Sequence, residues 1–259
     1  MKRFFMFLAL TVCLFEGCKQ TPNKENWVRL FNGKNLEGWT VKIAGYPAGE
    51  NFGNTFYVED SVIKVKYDAY GDDFQNRFGH LYTNRSYSHY KFRVEYRFKG
   101  EQTAGGPGWA YRNSGAMLHA QAPETMATEQ DFPVSIEAQM LGGDGVNERR
   151  TGNVCTPGTE IHIDGKFYNG HCCDSKSKTY HGDKWVKLEV VVFGDSIAHH
   201  IIDGDTVMTY TKMTVGGGGV NPAPDIPAGP LKEGRIALQS ESHPVEFRNI
   251  ELLDLTQNK

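Results

Sequence analysis

Residues 111–121 read YRNSGAMLHAQ, and residues 135–141 read SIEAQML. Both segments alternate between apolar and polar side chains with the period of two that a half-buried β-strand requires. If the two strands are neighbours, one face is small and apolar, and the other gathers an imidazole (His119), a carboxylate (Glu137) and two amides. Groups that hydrogen-bond in fixed directions are typical of the floor of a binding cleft. We interpret the polar face as such a floor. An ordinary polar sheet face is the alternative.

The rest of the chain repeats this strand pattern. Residues 91–98 alternate cleanly, and residues 185–193 have the composition of a core strand. Residues 196–202 and 206–210 flank Asp203-Gly204, a dipeptide typical of a β-hairpin turn. Because no long segment has the period of a helix, the sequence predicts an all-β fold.

Length and charge narrow the class of protein. A chain of 259 residues can bury a large core, and we expect one sandwich domain over residues 27–257. The formal net charge of −3, with both signs mixed along the chain, provides no basic surface, so we expect no nucleic-acid partner. The 29 glycines and 12% aromatic content suit many short strands joined by turns.

The N-terminus has the features of an export signal. A basic start precedes an apolar run over residues 4–15, which is too short to span a membrane as a mature helix. Cys18 follows in a setting that resembles a lipoprotein box. We therefore expect residues 1–17 to be a signal peptide, Cys18 to be lipidated and residues 18–26 to be a tether. Such a protein is an exported bacterial lipoprotein of the periplasm or the outer membrane, which contacts the membrane only through its lipid anchor. Plain secretion is the alternative.

Export places the later cysteines in an oxidising compartment. With the N-terminal cysteines removed or lipidated, Cys155, Cys172 and Cys173 are left. We expect a disulfide from Cys155 to Cys172 or to Cys173. A Cys/His metal cluster that uses His162 or His171 is the alternative, although no paired CxxC spacing supports it.

Several short segments together resemble a bacterial family, the 3-keto-disaccharide hydrolases, once known only as a domain of unknown function. The matching segments keep the family's order along nearly the whole mature chain: LFNGK at 30–34, LEGW at 36–39, NSG at 113–115, EAQ at 137–139, GDKW at 182–185, IIDG at 201–204, GRIALQ at 234–239 and VEFRNI at 245–250. The resemblance implies an antiparallel β-sandwich similar to the concanavalin-like jelly roll of lectins and glucanases, with a concave sheet that carries the site. It also agrees with export as a lipoprotein.

The family resemblance implies a reaction as well. A ketone at C3 of a sugar acidifies the proton at C2. Cleavage of a 3-keto glycoside therefore begins with proton abstraction, passes through an enolate and expels the group at C1, and water then adds to the resulting glycal. Such a site needs a base near C2, positive charge or a metal ion at the enolate oxygen, and an acid near the leaving oxygen. The expected partner is a carbohydrate.

Some of the residues expected to carry this chemistry lie on the two strands described above, and others lie elsewhere in the chain. The catalytic candidates are Glu137, His119 and Glu241. The substrate-binding candidates are Trp109, Tyr111, Arg112, Asn113, Gln139, Gln239 and His243. A divalent cation (Ca²⁺, Zn²⁺ or Mn²⁺) would use Glu137, His162 and His200 as ligands. The structural alternative for Glu137 is a carboxylate that holds Arg112 or Arg149 in place.

Two other functions are compatible with this sequence. A carbohydrate-binding module without chemistry would bind sugar and would not turn over an oxidised disaccharide. A conventional glycosidase would use Glu137 and Glu241, with the two carboxyl groups separated by roughly 5 to 9.5 Å.

Overall fold

The computed structural model describes Met1 and residues 25–256, which fold into two antiparallel β-sheets around a shared core. The antiparallel β-sandwich expected from the sequence is confirmed. The expectations for the signal peptide, for Cys18 and for most of the tether lie outside the described residues. Within the described part of the chain, no helix is long and apolar enough to cross a membrane.

The strands are short and follow one another throughout the chain. In chain order they are β1 (Val28–Arg29), β2 (Trp39–Ile43), β3 (Phe56–Glu59), β4 (Val62–Val65), β5 (Gly79–Thr83), β6 (His89–Phe98), β7 (Asn113–Ala120), β8 (Ile136–Leu141), β9 (Asn153–Cys155), β10 (Thr159–Ile163), β11 (Lys166–Phe167), β12 (Cys172–Cys173), β13 (Val186–Phe193), β14 (Ile197–Ile202), β15 (Asp205–Val215), β16 (Gly229–Pro230), β17 (Arg235–Ser240) and β18 (Val245–Asp254). Single 3₁₀ turns occupy Phe52–Asn54, Asp68–Tyr70, Gly108–Ala110 and Pro123–Thr125.

The two sheets differ in size. The large sheet has 11 strands in the order β11-β10-β15-β14-β13-β6-β18-β4-β3, with β1 paired to β18 and β16 to β15. The small sheet has 7 strands in the order β12-β9-β8-β7-β17-β5-β2. The predicted strand neighbours β7 and β8 are indeed adjacent, with Ala116 opposite Ala138 and Met117 opposite Glu137.

The core lies between the sheets and is built by the alternation seen in the sequence. From β6, Phe92 and Val94 are fully buried, and from β8, Ile136, Ala138 and Met140 are fully buried in the same cluster. Every second residue of these strands therefore points into the sandwich. The residues between them, Glu137 and Gln139 on β8, point to the opposite side, which is the outer face of the small sheet.

The outer face of the small sheet is covered by loops. Met126, from the segment that joins β7 to β8, packs with Tyr82, Met117 and Ala237 in a second apolar cluster. The Tyr82 hydroxyl donates a hydrogen bond to the Met126 sulfur, at 3.1 Å. Because this layer excludes water, polar residues of the outer face are buried as well.

A β-bulge interrupts the alternation of β7 near its end. Between the paired residues Met117–Ala237 and Ala120–Arg235, β7 contains one residue more than β17. His119 adopts a positive φ of 49° within this bulge, and a Cβ on Gly234 would lie 2.3 Å from the His119 carbonyl carbon. Glycine at 234 is what permits this close backbone approach. As a result Ala120, expected on the core face, belongs to the outer cluster with Met117.

A disulfide joins Cys155 to Cys172 across the edge pair β9–β12, which confirms one of the two expected pairings. Cys173 is half-buried and forms no disulfide with the other cysteines that the structure describes. The bridge closes 17 residues of chain separation. In the chain-entropy model a loop of that size stabilises the fold by about 3 kcal/mol.

The bulge gives a prediction about Gly234. Gly234→Ala is expected to lower the free energy of unfolding by about 1 to 3 kcal/mol, because the new methyl group must displace the His119 backbone. Urea unfolding measures the change. Gly218→Ala is the matched control, since a Cβ there meets no atom within 4 Å among the described residues. Equal stability of the two variants would contradict the prediction.

Candidate active site

The outer face of the small sheet carries a row of polar residues in register. Gln139 on β8 lies opposite Gly115 on β7 and opposite Asn153 on β9. Glu137 lies between Met117 and Cys155 in the next row. The strands thus place Glu137, Gln139 and Asn153 side by side. The alternation predicted Glu137 and Gln139 on this face, and Asn153 of β9 is an addition from the structure.

A cavity of about 370 Å³ opens above this row. Its walls come from the small sheet and from the loops that cover it: Trp109, Asn113, Phe132, Glu137, Gln139, Leu141, Arg149, Cys155, Pro157, His171, Cys172, Gly219 and Glu241. Its volume falls at the lower end of the range for small-molecule sites, and its lining combines apolar side chains with polar and charged ones. This cavity is called the first cavity below.

Glu137 is the single acid of β8, and its side chain lies over Gly115. Only 6% of Glu137 is exposed. A Cβ on Gly115 would lie 2.6 Å from Glu137 Oε1, so the glycine leaves the space that the carboxyl group occupies. Among the described residues, Oε1 meets no hydrogen-bond donor. The alternative role of Glu137, as a carboxylate that holds Arg112 or Arg149 in place, is wrong. Arg112 pairs with Asp183 at 3.2 Å, and the Arg149 guanidinium donates to backbone carbonyl oxygens.

Two carboxyl groups of the first cavity hold their protons unusually well. Burial raises the pKa of Glu137 from 4.5 to about 8. Burial and the negative charge of Glu137 raise the pKa of Glu241 well above its ordinary value, and the Arg149 charge opposes this only in part. Two interacting acids of this kind titrate as a pair, and the second proton is held more strongly than the first. The cavity therefore combines one potential base with one potential acid.

Arg149 supplies positive charge to the first cavity. Its guanidinium donates hydrogen bonds to the carbonyl oxygens of Arg112 and Gly142, at 3.1 and 3.0 Å, to that of Trp109 at 3.0 Å, and to that of Tyr111. These contacts fix the group without neutralising its charge. The sequence analysis considered Arg149 only as a partner of Glu137. It lies in the loop between β8 and β9, outside the alternating strand motifs, so no local pattern indicated its place in the cavity.

Three predicted substrate-binding residues line the first cavity. The Asn113 amide donates to the Trp109 carbonyl oxygen at 3.4 Å, and its own Oδ1 has no partner among the described residues. The Gln139 Oε1 accepts a hydrogen bond from Asn153 at 3.0 Å. Trp109 is 54% exposed and stacks on Phe78 with 5.6 Å between ring centroids. These groups can meet hydroxyl groups and the apolar face of a sugar ring.

The other predicted substrate-binding residues lie beside the first cavity and not in its wall. The His243 ring packs edge-on against Tyr111, with 5.1 Å between centroids, and burial lowers the pKa of His243 to about 4. Gln239 is fully buried opposite His80. Arg112 is held by Asp183 and by the Gly182 carbonyl oxygen at 3.0 Å. None of these side chains lines the first cavity.

His119 does not share the cleft with Glu137, and the expectation that it does is wrong. The bulge of β7 turns its side chain to the core, where Nδ1 lies 2.9 Å from the Leu231 carbonyl oxygen. The ring packs edge-on against Tyr90, a fully buried residue of the large sheet, at 5.7 Å between centroids. Burial lowers the pKa of His119, as expected for a neutral core histidine.

The expected metal-ligand set is not assembled either. His200 is buried within the large sheet, where its Nδ1 and Nε2 lie 3.0 Å from the Gly152 carbonyl oxygen and from the Tyr210 hydroxyl. His162 lies on β10 of the same sheet, against Phe167. Both are therefore on a different sheet from Glu137. No cluster of three or more His, Cys, Asp or Glu residues exists within the range 25–256 that could replace this set.

Several residues of the cavity wall had no role in the sequence analysis. They are Phe132, Leu141, Pro157, Gly219 and the Cys155–Cys172 disulfide as a wall element. His171 was considered only as a ligand in a Cys/His cluster; the structure places it in the cavity wall instead. All except Leu141, Cys155 and Cys172 lie outside regular strands. Periodicity carries no information about such positions.

Comparison with known proteins identifies relatives of this fold. The family described as 3-keto-alpha-glucoside-1,2-lyase-like domain matches residues 26–253. Two crystal structures from Parabacteroides distasonis ATCC 8503, each described as a candidate glycosyl hydrolase, are similar. One is 19% identical, with a TM-score of 0.52, over 88% of this chain and 94% of that chain. The other is 16% identical, with a TM-score of 0.51, over 89% of this chain and 100% of that chain. At these identities the likeness shows the fold. No curated protein matches the sequence.

The raised pKa of Glu137 predicts how stability depends on pH. A carboxyl group whose folded pKa is about 8 stabilises the fold fully below its ordinary pKa, and this contribution is lost as pH rises from about 5 through 8. Glu137→Gln cannot ionise, so it is expected to exceed the parent in free energy of unfolding at pH 8.5, by on the order of 2 kcal/mol. Urea unfolding at pH 5.5 and pH 8.5 checks this. Parallel pH dependence of the two proteins would refute the assignment.

Proposed function

The chain belongs to the family of 3-keto-alpha-glucoside-1,2-lyase-like domains, and on that premise we propose that its first cavity cleaves 3-keto glycosides by proton abstraction at C2. The observation that carries the proposal is the buried Glu137 carboxyl group, with a pKa of about 8, in one cavity with Glu241 and Arg149. A base of that strength suits the acidified C2 proton of a keto sugar, because general bases work best when their pKa lies near the working pH.

Glu137 acts as the base. Its carboxylate takes the proton from C2, and the electron pair of the C2–H bond moves toward the C3 ketone to form an enolate. Desolvation strengthens the base, since a buried carboxylate gains more from accepting a proton than an exposed one does. Gly115 supports this step by leaving the carboxyl group room to reach over the sheet.

Arg149 stabilises the enolate oxygen. Its guanidinium is held by four backbone carbonyl oxygens, so its charge is already oriented when negative charge develops on the substrate. Preorganised charge in a site shielded from water stabilises a transition state more than mobile charge in water does. Trp109, Asn113 and Gln139 hold the ring in place.

Glu241 acts as the acid. It keeps its proton because Glu137 and burial raise its pKa well above the ordinary value, and it delivers that proton to the leaving oxygen at C1. The C1–O bond breaks as a double bond forms between C1 and C2. If water then adds across this double bond, the overall reaction is a hydrolysis. If water does not add, the unsaturated sugar is the product of a lyase reaction.

A conventional glycosidase is the second candidate, because Glu137 and Glu241 line one cavity. Burial weighs against it: such a pair needs one carboxylate ionised near neutral pH, whereas the pKa values of both groups are raised. Plain trehalose distinguishes the two, since only a conventional glycosidase cleaves an unoxidised disaccharide. Binding of both sugars without turnover of either indicates a binding module.

A divalent cation is a separate proposal, and the reaction above uses only the protein's own side chains. The three residues first expected to hold a metal ion are distributed over both sheets, so no step is assigned to such an ion. Turnover of 3-keto-trehalose before and after treatment with a chelator, followed by addition of Ca²⁺, Zn²⁺ or Mn²⁺, tests for it. Restoration by one of these ions would add a cation to the site.

Turnover of 3-keto-trehalose tests the roles of the two acids. The kcat/KM of the parent is expected to rise with pH to a midpoint near 8, about tenfold per pH unit below it, because Glu137 must lose its proton first.

Glu137→Gln is expected to lower kcat by about 10² to 10⁴. Glu241→Gln is expected to lower kcat less for substrates with an acidic leaving group. Glu160→Gln, outside the first cavity, is the matched control. An active Glu137→Gln variant removes Glu137 from the mechanism.

We propose that the protein works as a lipoprotein at a membrane surface of the cell envelope, anchored through Cys18. The support is the apolar run and processing site of residues 1–18. Cys18→Ser is expected to move the protein from the membrane fraction to the soluble fraction, because one lipidated cysteine is the only anchor proposed. Immunoblots of the two fractions measure this. A variant that stays with membranes contradicts lipidation at Cys18.

A further inference from the structure

One short segment of backbone supplies most of the acceptors that hold the Arg149 guanidinium. The carbonyl groups of Trp109, Tyr111 and Arg112 belong to the segment that leads into β7, and Gly142, directly after β8, supplies a fourth. Nη1 of Arg149 donates to both Tyr111 and Arg112, which are consecutive in the chain. The orientation of the Arg149 charge therefore depends on the backbone conformation between these two peptide groups.

Residue 112 has the unusual conformation that this arrangement needs. In an extended strand, successive carbonyl groups point to opposite sides, so Tyr111 and Arg112 could not both accept from one nitrogen atom. Arg112 instead adopts a φ of 41°, in the left-handed region, where the two flanking peptide groups turn to the same side. A residue other than glycine is disfavoured there, because its Cβ crowds the backbone. Other contacts must therefore hold residue 112 in this conformation.

The Arg112 side chain is anchored through both terminal nitrogen atoms of its guanidinium. Nη1 donates to the Gly182 carbonyl oxygen at 3.0 Å, and Nη2 donates to the Asp183 carboxylate at 3.2 Å. Hydrogen bonds from Lys99 and Arg112 lower the pKa of Asp183, so its carboxylate is ionised at neutral pH. The Arg112 side chain is only 12% exposed, so solvent weakens this anchor less than it weakens an open surface pair.

The backbone of residue 112 is also packed closely against the end of β8. The Gly142 N–H donates to the Arg112 carbonyl oxygen at 2.9 Å. A Cβ on Gly142 would lie 2.8 Å from the Phe98 ring and 3.2 Å from the Arg112 Cβ. Because one Arg112 carbonyl group accepts from both Gly142 and Arg149, a change of φ at residue 112 would disturb both hydrogen bonds together.

We propose that Arg112 and Asp183 are positioning residues of the first cavity: their ion pair holds residue 112 in the left-handed conformation and thereby orients the Arg149 guanidinium. Neither side chain lines the cavity, so both act through the backbone and not by contact with a substrate. The orientation of Arg149 does not depend on any reaction. Its effect on turnover rests on the proposed function, in which Arg149 stabilises the enolate oxygen.

Glycine at residue 112 separates a conformational role from a role of the Arg112 charge. Glycine adopts positive φ readily, whereas alanine does so at a steric cost. Arg112→Ala and Arg112→Gly both remove the guanidinium and its ion pair. If the pair serves to hold the backbone, Arg112→Gly keeps Arg149 oriented and Arg112→Ala does not. Asp183→Asn retains the steric cost at residue 112 and weakens the anchor, so it is expected to resemble Arg112→Ala.

The first measurement uses the protein without any sugar. In ¹⁵N-labelled protein, NMR signals of the Nη–H groups report how firmly the Arg149 guanidinium is held, and Arg149→Lys identifies these signals. The parent and Arg112→Gly are expected to show separate, slowly exchanging Nη signals of Arg149. Arg112→Ala and Asp183→Asn are expected to lose them, because the guanidinium then rotates freely. Thermal melts establish that each variant is folded.

The second measurement is turnover of 3-keto-trehalose. Arg112→Ala and Asp183→Asn are expected to lower kcat about tenfold, which is less than the roughly 10²- to 10³-fold cost of removing a preorganised donor outright. KM is expected to change little, since the enolate charge develops only in the transition state. Arg112→Gly is expected to recover most of the loss. Glu148→Gln is the matched control, because it removes an exposed carboxylate that pairs with Arg150 at 3.1 Å, beside Arg149 in the chain.

Three outcomes overturn the proposal. They are unchanged Arg149 signals in Arg112→Ala and Asp183→Asn, equal loss of the signals in Arg112→Ala and Arg112→Gly, which would assign the role to the Arg112 charge itself, and loss of the signals in Glu148→Gln. If the parent does not turn over 3-keto-trehalose, the proposed function fails, and the NMR signals still decide the positioning role. Turnover by the parent together with unchanged signals in every variant retains the function and refutes the positioning role.

Discussion

Glu137 loses its hydration because loops cover the outer face of the small sheet, and the acid–base properties of the first cavity depend on this loss. A carboxyl group on an open sheet face would ionise near pH 4.5 and would be a weak base toward carbon acids. Met126, packed on Tyr82 and Met117, closes one end of the covered face, and Phe132 closes the neighbouring part. The resulting burial raises the pKa of Glu137 to about 8 and costs stability at high pH. The large core between the sheets offsets this cost.

The properties of Glu241 and Arg149 follow from the same enclosure. Once Glu137 is buried, a second buried carboxyl group nearby cannot ionise readily, which makes Glu241 an acid. Arg149 is tolerated in this environment because four carbonyl oxygens satisfy its N–H groups. Those carbonyl groups belong to the segment that precedes β7 and to the end of β8. The same hydrogen bonds therefore fix the Arg149 guanidinium and join these two segments of the chain.

Three features were predictable from the alternation along β7 and β8: the sandwich, the pairing of these strands, and the direction of the Glu137 side chain toward the outer face. Side-chain direction in a strand has a period of two, so local sequence determines it as long as the strand is regular. The failure at His119 has the same basis. One extra residue in β7 reverses every later side chain, and the close approach of Gly234 that permits it comes from a strand more than a hundred residues away. The metal set that used His200 failed because the sequence does not state which sheet a strand joins.

The sequence by itself determined the fold class and the family, and it predicted the acids Glu137 and Glu241 as site residues, because strand periodicity and motif order are local properties of the chain. It restricted the disulfide to two pairings of Cys155, and the antiparallel register of β9 and β12 selected Cys172. Only the tertiary structure brought Arg149 and His171 to Glu137. These residues lie in loops and at strand ends, where position depends on what the segment packs against. Long-range packing, which no local pattern encodes, therefore decided the composition of the site and the pKa values within it.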